Sequence, residues 1–212
     1  MEKKVIVIGS GGHAKIIIDI LHETGKVDII GLTSNDLPEG SLFQGYPVLG
    51  NDSVLPHHKS GNSVYAVMGV GGYRNNVTRT NLFMKIKNTG FIFLNAIHPR
   101  SYISKMSTLG EGVTVFPGAV INAGVTIGNN VIIATNSSID HDSSIENNVL
   151  ISAGVTVGAS ARICEGALMA LGSKVISGMT IGANSLIAAG AVVVSNIGDN
   201  KTVFGLPAKE IR

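Results

Sequence analysis

The chain has 212 residues, 44% of them from the set AVILMFWYC, with 27 glycines and only 14% charged side chains. That length allows one or two domains; so apolar a composition excludes disorder, and glycine that keeps no three-residue period excludes collagen. A net charge of +2 with no Lys- or Arg-rich stripe gives no nucleic-acid footprint, the longest apolar runs are too broken to span a membrane, and a single cysteine, Cys164, without a signal peptide in MEKKVIVIGSGG points to a reducing cytoplasm.

Taken in chain order, Val5–Ile8 is a short continuous apolar run, the mark of a strand buried on both faces. Gly9-Ser10-Gly11-Gly12 follows, and then a helix from Ala14 to Thr24, with Ile16, Ile17, Ile20 and Leu21 as its apolar stripe and Gly25 as its stop. Val27–Leu32 predicts a second strand, Leu42–Leu49 a loop or short strand, and Val64–Met68 a third strand ended by Gly69-Val70-Gly71-Gly72. Asn76–Asn88 predicts a helix, with Val77, Leu82, Phe83 and Ile86 apolar, and Phe91–Leu94 a last strand. This is the grammar of a small α/β unit on a parallel sheet of about four strands.

The rest of the chain changes composition. Residues 1–102 hold 17 charges and residues 103–198 hold 8, so a boundary is expected between Asn95 and Ser101. From Ile103 onward every sixth residue is a large aliphatic: Ile103, Leu109, Val115, Ile121 and so on to Val193, sixteen times without a slip. The fifth positions are mostly small or β-branched, and Gly or Asn recurs at turn positions. A hexad is a short strand plus a turn, and three hexads close a triangular coil of 18 residues with the aliphatic and the fifth residue pointing inward. This is the hexapeptide β-helix pattern.

His141 is the one histidine inside the hexads, at a third position, in the run Ser138-Ile139-Asp140-His141-Asp142. Two readings stand open from the residues alone: a surface histidine on a polar turn, or a general base held in one tautomer by Asp140 or Asp142. A lone histidine does not supply the three zinc ligands of a hydration enzyme, so no metal is expected. Cys164 has no basic partner in sequence, which disfavours a covalent cysteine mechanism.

With the hexads, the loop Gly9-Ser10-Gly11-Gly12-His13-Ala14-Lys15 and the closing Gly205-Leu206-Pro207-Ala208-Lys209 in view, the chain resembles the left-handed β-helix sugar acetyltransferases with an N-terminal Rossmann-like domain. These are the bacterial nucleotide-amino-sugar N-acetyltransferases and sialic acid O-acetyltransferases. The resemblance implies an α/β plus all-β chain, with a Rossmann-like nucleotide-sugar domain over 1–98 and a left-handed parallel β-helix binding acetyl-CoA over 99–212. It also implies a homotrimer with the cofactor in the clefts between neighbours. The expected activity is acetyl transfer to the 4-amino group of a nucleotide-linked 4-amino-4,6-dideoxy sugar, the alternative being O-acetylation of a sialic acid; a non-catalytic scaffold is the reading from another class.

The resemblance places the catalytic histidine at His141 and its acidic partner at Asp142. Related enzymes often carry a second histidine nine residues on, where this chain has Leu150. Cofactor contacts are expected from Leu150, Gly154, Ala159, Gly172, Ser173, Lys174, Gly190, Pro207 and Lys209, with Arg212 as a further cation for phosphates. Substrate contacts are expected from Ser10, Gly11, Gly12 and His13 at a helix N-terminus, from Thr33 and Ser34, and from Gly71, Gly72 and Arg74, with Arg79 a second candidate for a phosphate. The full dinucleotide signature is absent and the segment after the second strand reads Thr33-Ser34-Asn35-Asp36, so the nucleotide stays open among UDP, GDP and dTDP.

Overall fold

The computed structural model describes residues 3–59, 64–72 and 76–210. Its N-terminal unit is built from β1 (Lys3–Ile8), α1 (Gly12–Thr24), β2 (Val27–Thr33), β3 (Leu42–Phe43), β4 (Tyr46–Gly50), α2 (Leu55–His58), β5 (Val64–Met68) and α3 (Val77–Asn88). The sheet order is β3-β4-β2-β1-β5. β1 lies between β2 and β5, parallel to both, and Val5, Ile6, Val7 and Ile8 are fully buried.

Three expectations change in this unit. The sheet has five strands, with β3 antiparallel to β4. Phe91–Leu94 forms no regular strand: Phe93 makes a single bridge to Ala66, after which the Asn95 side chain bonds the Gly110 carbonyl and the Val113 amide of the next unit. The buried stripe of α1 is Ala14, Ile17, Ile18, Ile20 and Leu21, since positions 14, 17, 18 and 21 follow the i, i+3, i+4, i+7 rule; Ile16 is 37% exposed. Gly25 ends the helix as read, in a left-handed conformation (φ 59°) that lets its N–H donate to the Leu21 and His22 carbonyls.

The hexads form a left-handed β-helix of two-residue strands in three parallel ladders, each pairing a residue with the one 18 further on. One ladder starts at Ala96–Ile97, the second at Tyr102–Ile103 and the third at Thr108–Leu109. The sixth-residue aliphatics stack down the axis, and Ile121, Ile133, Ile139, Ile151, Val157, Ile163, Ile181 and Ile187 are fully buried. Each fourth position from Gly112 to Gly190 takes φ between 55° and 75°, whether it is Gly, Asn130, Asn136, Asp142, Asn148, Ser160 or Asn184. Asn and Asp are the side chains that best tolerate that region, which explains their alternation with glycine in the sequence.

The outward residues differ between the ladders. The third carries Thr126, Ser144 and Arg162, all polar, and the second is mixed, with Ser138, Thr156 and Lys174 beside Tyr102, Val120 and Val192. The first carries Ile132, Leu150, Leu168 and Leu186, and α1 packs on this apolar face. The two units therefore share a core, in which Ile17, Ile18 and Leu21 meet Phe116, Ile132, Leu150 and Leu168.

Candidate active site

A cleft of about 670 Å³ opens where the N-terminus of α1 meets the apolar face of the β-helix. Its walls are the glycine loop (Gly9 to His13), the residues after β2 (Ser34, Asn35, Asp36), the loop after β5 (Gly69 to Gly72), and Phe116, Ile132, Ala134, Leu150, Ser152, Ala153 and Leu171. The first amides of α1 have no intrahelical acceptor and sit at the positive end of the helix dipole.

Hydrogen bonding fixes one more donor. Ser34 Oγ accepts the amides of Asp36 (3.1 Å) and Leu37 (2.9 Å), which uses both its lone pairs. Its single proton therefore goes to Ser10 Oγ, 2.7 Å away, leaving the Ser10 proton to donate into the cleft. Among the described residues lining the cleft, Asp36 is the one carboxylate and none is Lys or Arg.

His13 stacks on Phe116 with ring centroids 5.6 Å apart, and its Nε2 is enclosed without a hydrogen-bond partner. Burial, reinforced by the charge of Arg79, pushes its pKa down to about 3, so the ring is neutral throughout the working range.

His141 stands elsewhere. Asp142 takes the left-handed fourth position (φ 58°) of the turn after Ser138–Ile139, which brings its Oδ2 within 2.8 Å of His141 Nδ1. Asp140 accepts the His141 amide and the Asn122 side chain, which hold its carboxyl below the usual range. The hydrogen bond to Asp142, then the charges of Asp140 and Asp142, raise the His141 pKa. Both ring and carboxylate face solvent, and Nε2 is the nitrogen left for chemistry. The dyad has the parts of a general base, but His141 is not among the residues lining the cleft. It lies one corner of the triangle away, with the strand Ser138–Ile139 between.

The other expected positions divide. Ser10, Gly11, Gly12, His13, Ser34, Gly71 and Gly72 line the cleft together. Leu150 lines it too, from the apolar face beneath the N-terminal unit. Thr33 does not: it is fully buried and its hydroxyl donates to Asp52. Arg74 and Arg212 lie outside the described residues. Gly154, Gly172 and Gly190 form one column of left-handed turn residues, and the space beside Gly172 and Gly190 is open. Ala159 stacks directly over His141 in the next coil, where Ser160 N–H donates to the His141 carbonyl. Lys174 is exposed on the second ladder, whereas Ser173 is wholly buried inside the coil and offers no contact to an outside ligand. Pro207 and Lys209 belong to the closing segment, which turns back so that Lys209–Glu210 pairs antiparallel with Thr202–Phe204.

Arg79, a candidate for a phosphate, is buried at 2% exposure and bonds main-chain carbonyls instead. Asn35 and Asp36 line the cleft and were not singled out in the sequence; their signal was position, immediately after a parallel strand.

Residues 4–86 match the family described as the PglD N-terminal domain, and residues 106–141 match the bacterial transferase hexapeptide repeat. No match was found among curated proteins. Among solved structures, a histidine-to-asparagine variant of perosamine N-acetyltransferase from Caulobacter crescentus, in complex with CoA and GDP-perosamine, is 33% identical. It aligns over 99% of this chain and 97% of its own, with a TM-score of 0.92. The acetyltransferase domain of PglB from Neisseria gonorrhoeae FA1090, in complex with acetyl coenzyme A, is 31% identical over 100% of both chains, with a TM-score of 0.89. WeeI from Acinetobacter baumannii AYE shares the fold at 20% identity, covering 99% of this chain and 100% of that one, with a TM-score of 0.84.

Proposed function

The chain belongs to the hexapeptide-repeat, left-handed β-helix acetyltransferases that carry a PglD-type N-terminal domain, and from that premise we propose that it transfers acetyl from acetyl-CoA to the 4-amino group of a nucleotide-linked 4-amino-4,6-dideoxy sugar. The observation that carries this reading is the cleft. Helix-terminal amides and the Ser10 proton give it donors suited to a diphosphate, and the chain aligns along nearly its whole length with an enzyme solved holding CoA and GDP-perosamine. Residues 1–98 hold the nucleotide sugar and residues 99–212 the acetyl-CoA.

His141 Nε2 removes a proton as the sugar amine attacks the thioester carbonyl, and Asp142 stabilises the imidazolium that forms. The tetrahedral intermediate then expels the CoA thiolate, and no covalent enzyme intermediate is needed. Since one chain keeps His141 a corner away from its own cleft, the working unit is a homotrimer in which a neighbour's His141 meets the bound sugar. Acetyl-CoA then lies along the same junction, against the column Gly154, Gly172 and Gly190, with Ala159, Lys174, Pro207 and Lys209 alongside. The N-terminal contacts are Ser10, Gly11, Gly12, His13, Ser34, Gly71 and Gly72. The setting proposed from the single cysteine is a reducing cytoplasm. Among the described residues no helix is long and apolar enough to cross a membrane.

The test is thiol release from acetyl-CoA with UDP-, dTDP- and GDP-linked 4-amino-4,6-dideoxy sugars, run beside His141→Ala. Turnover with one amino sugar, lowered about 10²- to 10⁴-fold in the variant, is expected. A folded protein that binds acetyl-CoA yet acetylates none of these amines would refute the substrate assignment.

A further inference from the structure

Arg79 is the largest fully buried side chain in the described protein. It projects from the first turn of α3, and its guanidinium donates to three main-chain oxygens: that of Val70, that of Asn130 (3.5 Å) and that of Gly112 (3.4 Å). Val70 belongs to the loop after β5, while Gly112 and Asn130 are left-handed turn residues of the β-helix. One side chain thus ties the helix, the cleft wall and two coils together.

Stability alone is a poor reason to bury this group. A guanidinium withdrawn from water without a carboxylate partner is costly, and apolar side chains of similar volume commonly serve as well or better in such places. The location offers another reason. The wall it holds, Gly69-Val70-Gly71-Gly72, is three-quarters glycine and has little side-chain packing to orient its peptides. In a trans peptide the carbonyl and the following N–H point in opposite directions. With the Val70 carbonyl drawn inward to Arg79, the Gly71 amide is turned outward, and Gly71 lines the cleft. Gly71 also packs on His13, where an added Cβ would come within 3.2 Å of the His13 Cβ.

We propose that Arg79 is a positioning residue for the phosphates of the nucleotide sugar, aiming the Gly71 amide into the cleft and setting a fixed positive charge behind its wall. The proposal rests on the reading of the cleft given above. Arg79 would place a cation behind a wall whose described lining residues are polar or apolar but neither Lys nor Arg. The charge acts through a low-dielectric wall, where screening is weak. Burial pushes the Arg79 pKa down only to about 9, so the charge persists at neutral pH.

The experiment compares Arg79→Met and Arg79→Lys with the parent chain, after thermal unfolding has shown each to be folded. Two readouts are taken: binding of GDP and UDP, and the separate KM values for acetyl-CoA and the nucleotide sugar. In Arg79→Met, affinity for the bound nucleotide and KM for the sugar are expected to worsen about tenfold, the scale of one hydrogen bond to a charged group, with KM for acetyl-CoA and kcat within about twofold. Arg79→Lys keeps the charge but loses the fork, so a several-fold change is expected; it decides the matter if the Met chain does not fold. Folded variants with parental nucleotide affinity, or with equal losses for both substrates, would overturn the proposal while leaving the cleft assignment intact. A parent chain that binds neither nucleotide would remove the assignment itself, and the proposal with it.

Discussion

If the acetyl-transfer site lies between neighbouring subunits, two inactive chains repair each other. One is His141→Ala, which keeps the cleft. The other is Gly12→Glu, which keeps His141. A Cβ at Gly12 has nothing within 4 Å, and an acidic residue in the first turn favours the helix, so this chain is expected to fold while placing a carboxylate at the proposed phosphate site. The structure sets the magnitude. The cleft opens at the corner that follows Ile133 and Ile151, and His141 stands at the next corner, beyond Ser138–Ile139. In the proposed trimer a site needs the cleft of one chain and the histidine of the next. In trimers assembled at random from equal amounts, half the clefts are intact and half the neighbouring histidines are intact, so about a quarter of the sites are complete. Thiol release by the co-expressed pair is expected near a quarter of the parental rate, against almost none for either variant alone. A mixed preparation, shown by mass spectrometry to contain both chains in one trimer, that is no more active than its parents would refute the shared site.

Asp142→Asn tests the dyad. Asparagine already holds the equivalent left-handed position in Asn130, Asn136, Asn148 and Asn184, so the turn is expected to survive. Under the proposed mechanism the protonated imidazole is the inactive form, and the carboxylate raises its pKa; in the variant the acid limb of kcat/KM is expected to move to lower pH while the plateau falls about tenfold. A pH–rate profile whose acid limb stays in place or moves upward contradicts this. Gly178→Ala and Gly118→Ala separate turn strain from crowding. Both have φ near 75°, but only at Gly118 would a Cβ overlap the Asn136 side-chain oxygen. Thermal unfolding of the unliganded protein is expected to show a loss of about 1 kcal/mol at Gly178 and at least roughly twice that at Gly118; equal losses would show that crowding contributes nothing.

The β-helix was legible because one rule acts sixteen times: a single inward aliphatic per hexad leaves no other register. The contact between the two units was harder to read, since it obeys a period of 18. Ile132, Leu150, Leu168 and Leu186 each precede an inward aliphatic, and stepping by six mixes them with Ser138, Ser144 and Thr156. α3 misled in a similar way. Its buried face is Arg79, Phe83 and Ile86, at i, i+4 and i+7, with Val77 exposed. An arginine at an apolar position of a helix stripe looks like a lapse in the pattern, and here it marks the strut under the cleft wall. His141 and Asp142 could be paired from adjacency, but their distance from the cleft could not, because it depends on which corner of the triangle each hexad occupies. Leu150 shows the same limit: nine residues from His141 along the chain, it sits on the first ladder beneath the other unit.

A ladder of parallel strands has no natural end. Each coil presents to the next the pattern that would accept another, including a coil from a different molecule. In this chain all three exposed edges are occupied by the segment that leaves the helix. Lys209–Glu210 runs backwards along Thr202–Phe204, Val192 exchanges hydrogen bonds with Gly205 and Ala208, and Ile197 bridges Ile181. The pairing of Lys209–Glu210 is antiparallel and the parallel contact of Ile197 with Ile181 is a single isolated bridge, so the closing segment does not continue the two-residue parallel ladders. The fold therefore has a stopping rule written into its final turns: an architecture able to lengthen indefinitely, as a fibre does, stays the size of one molecule.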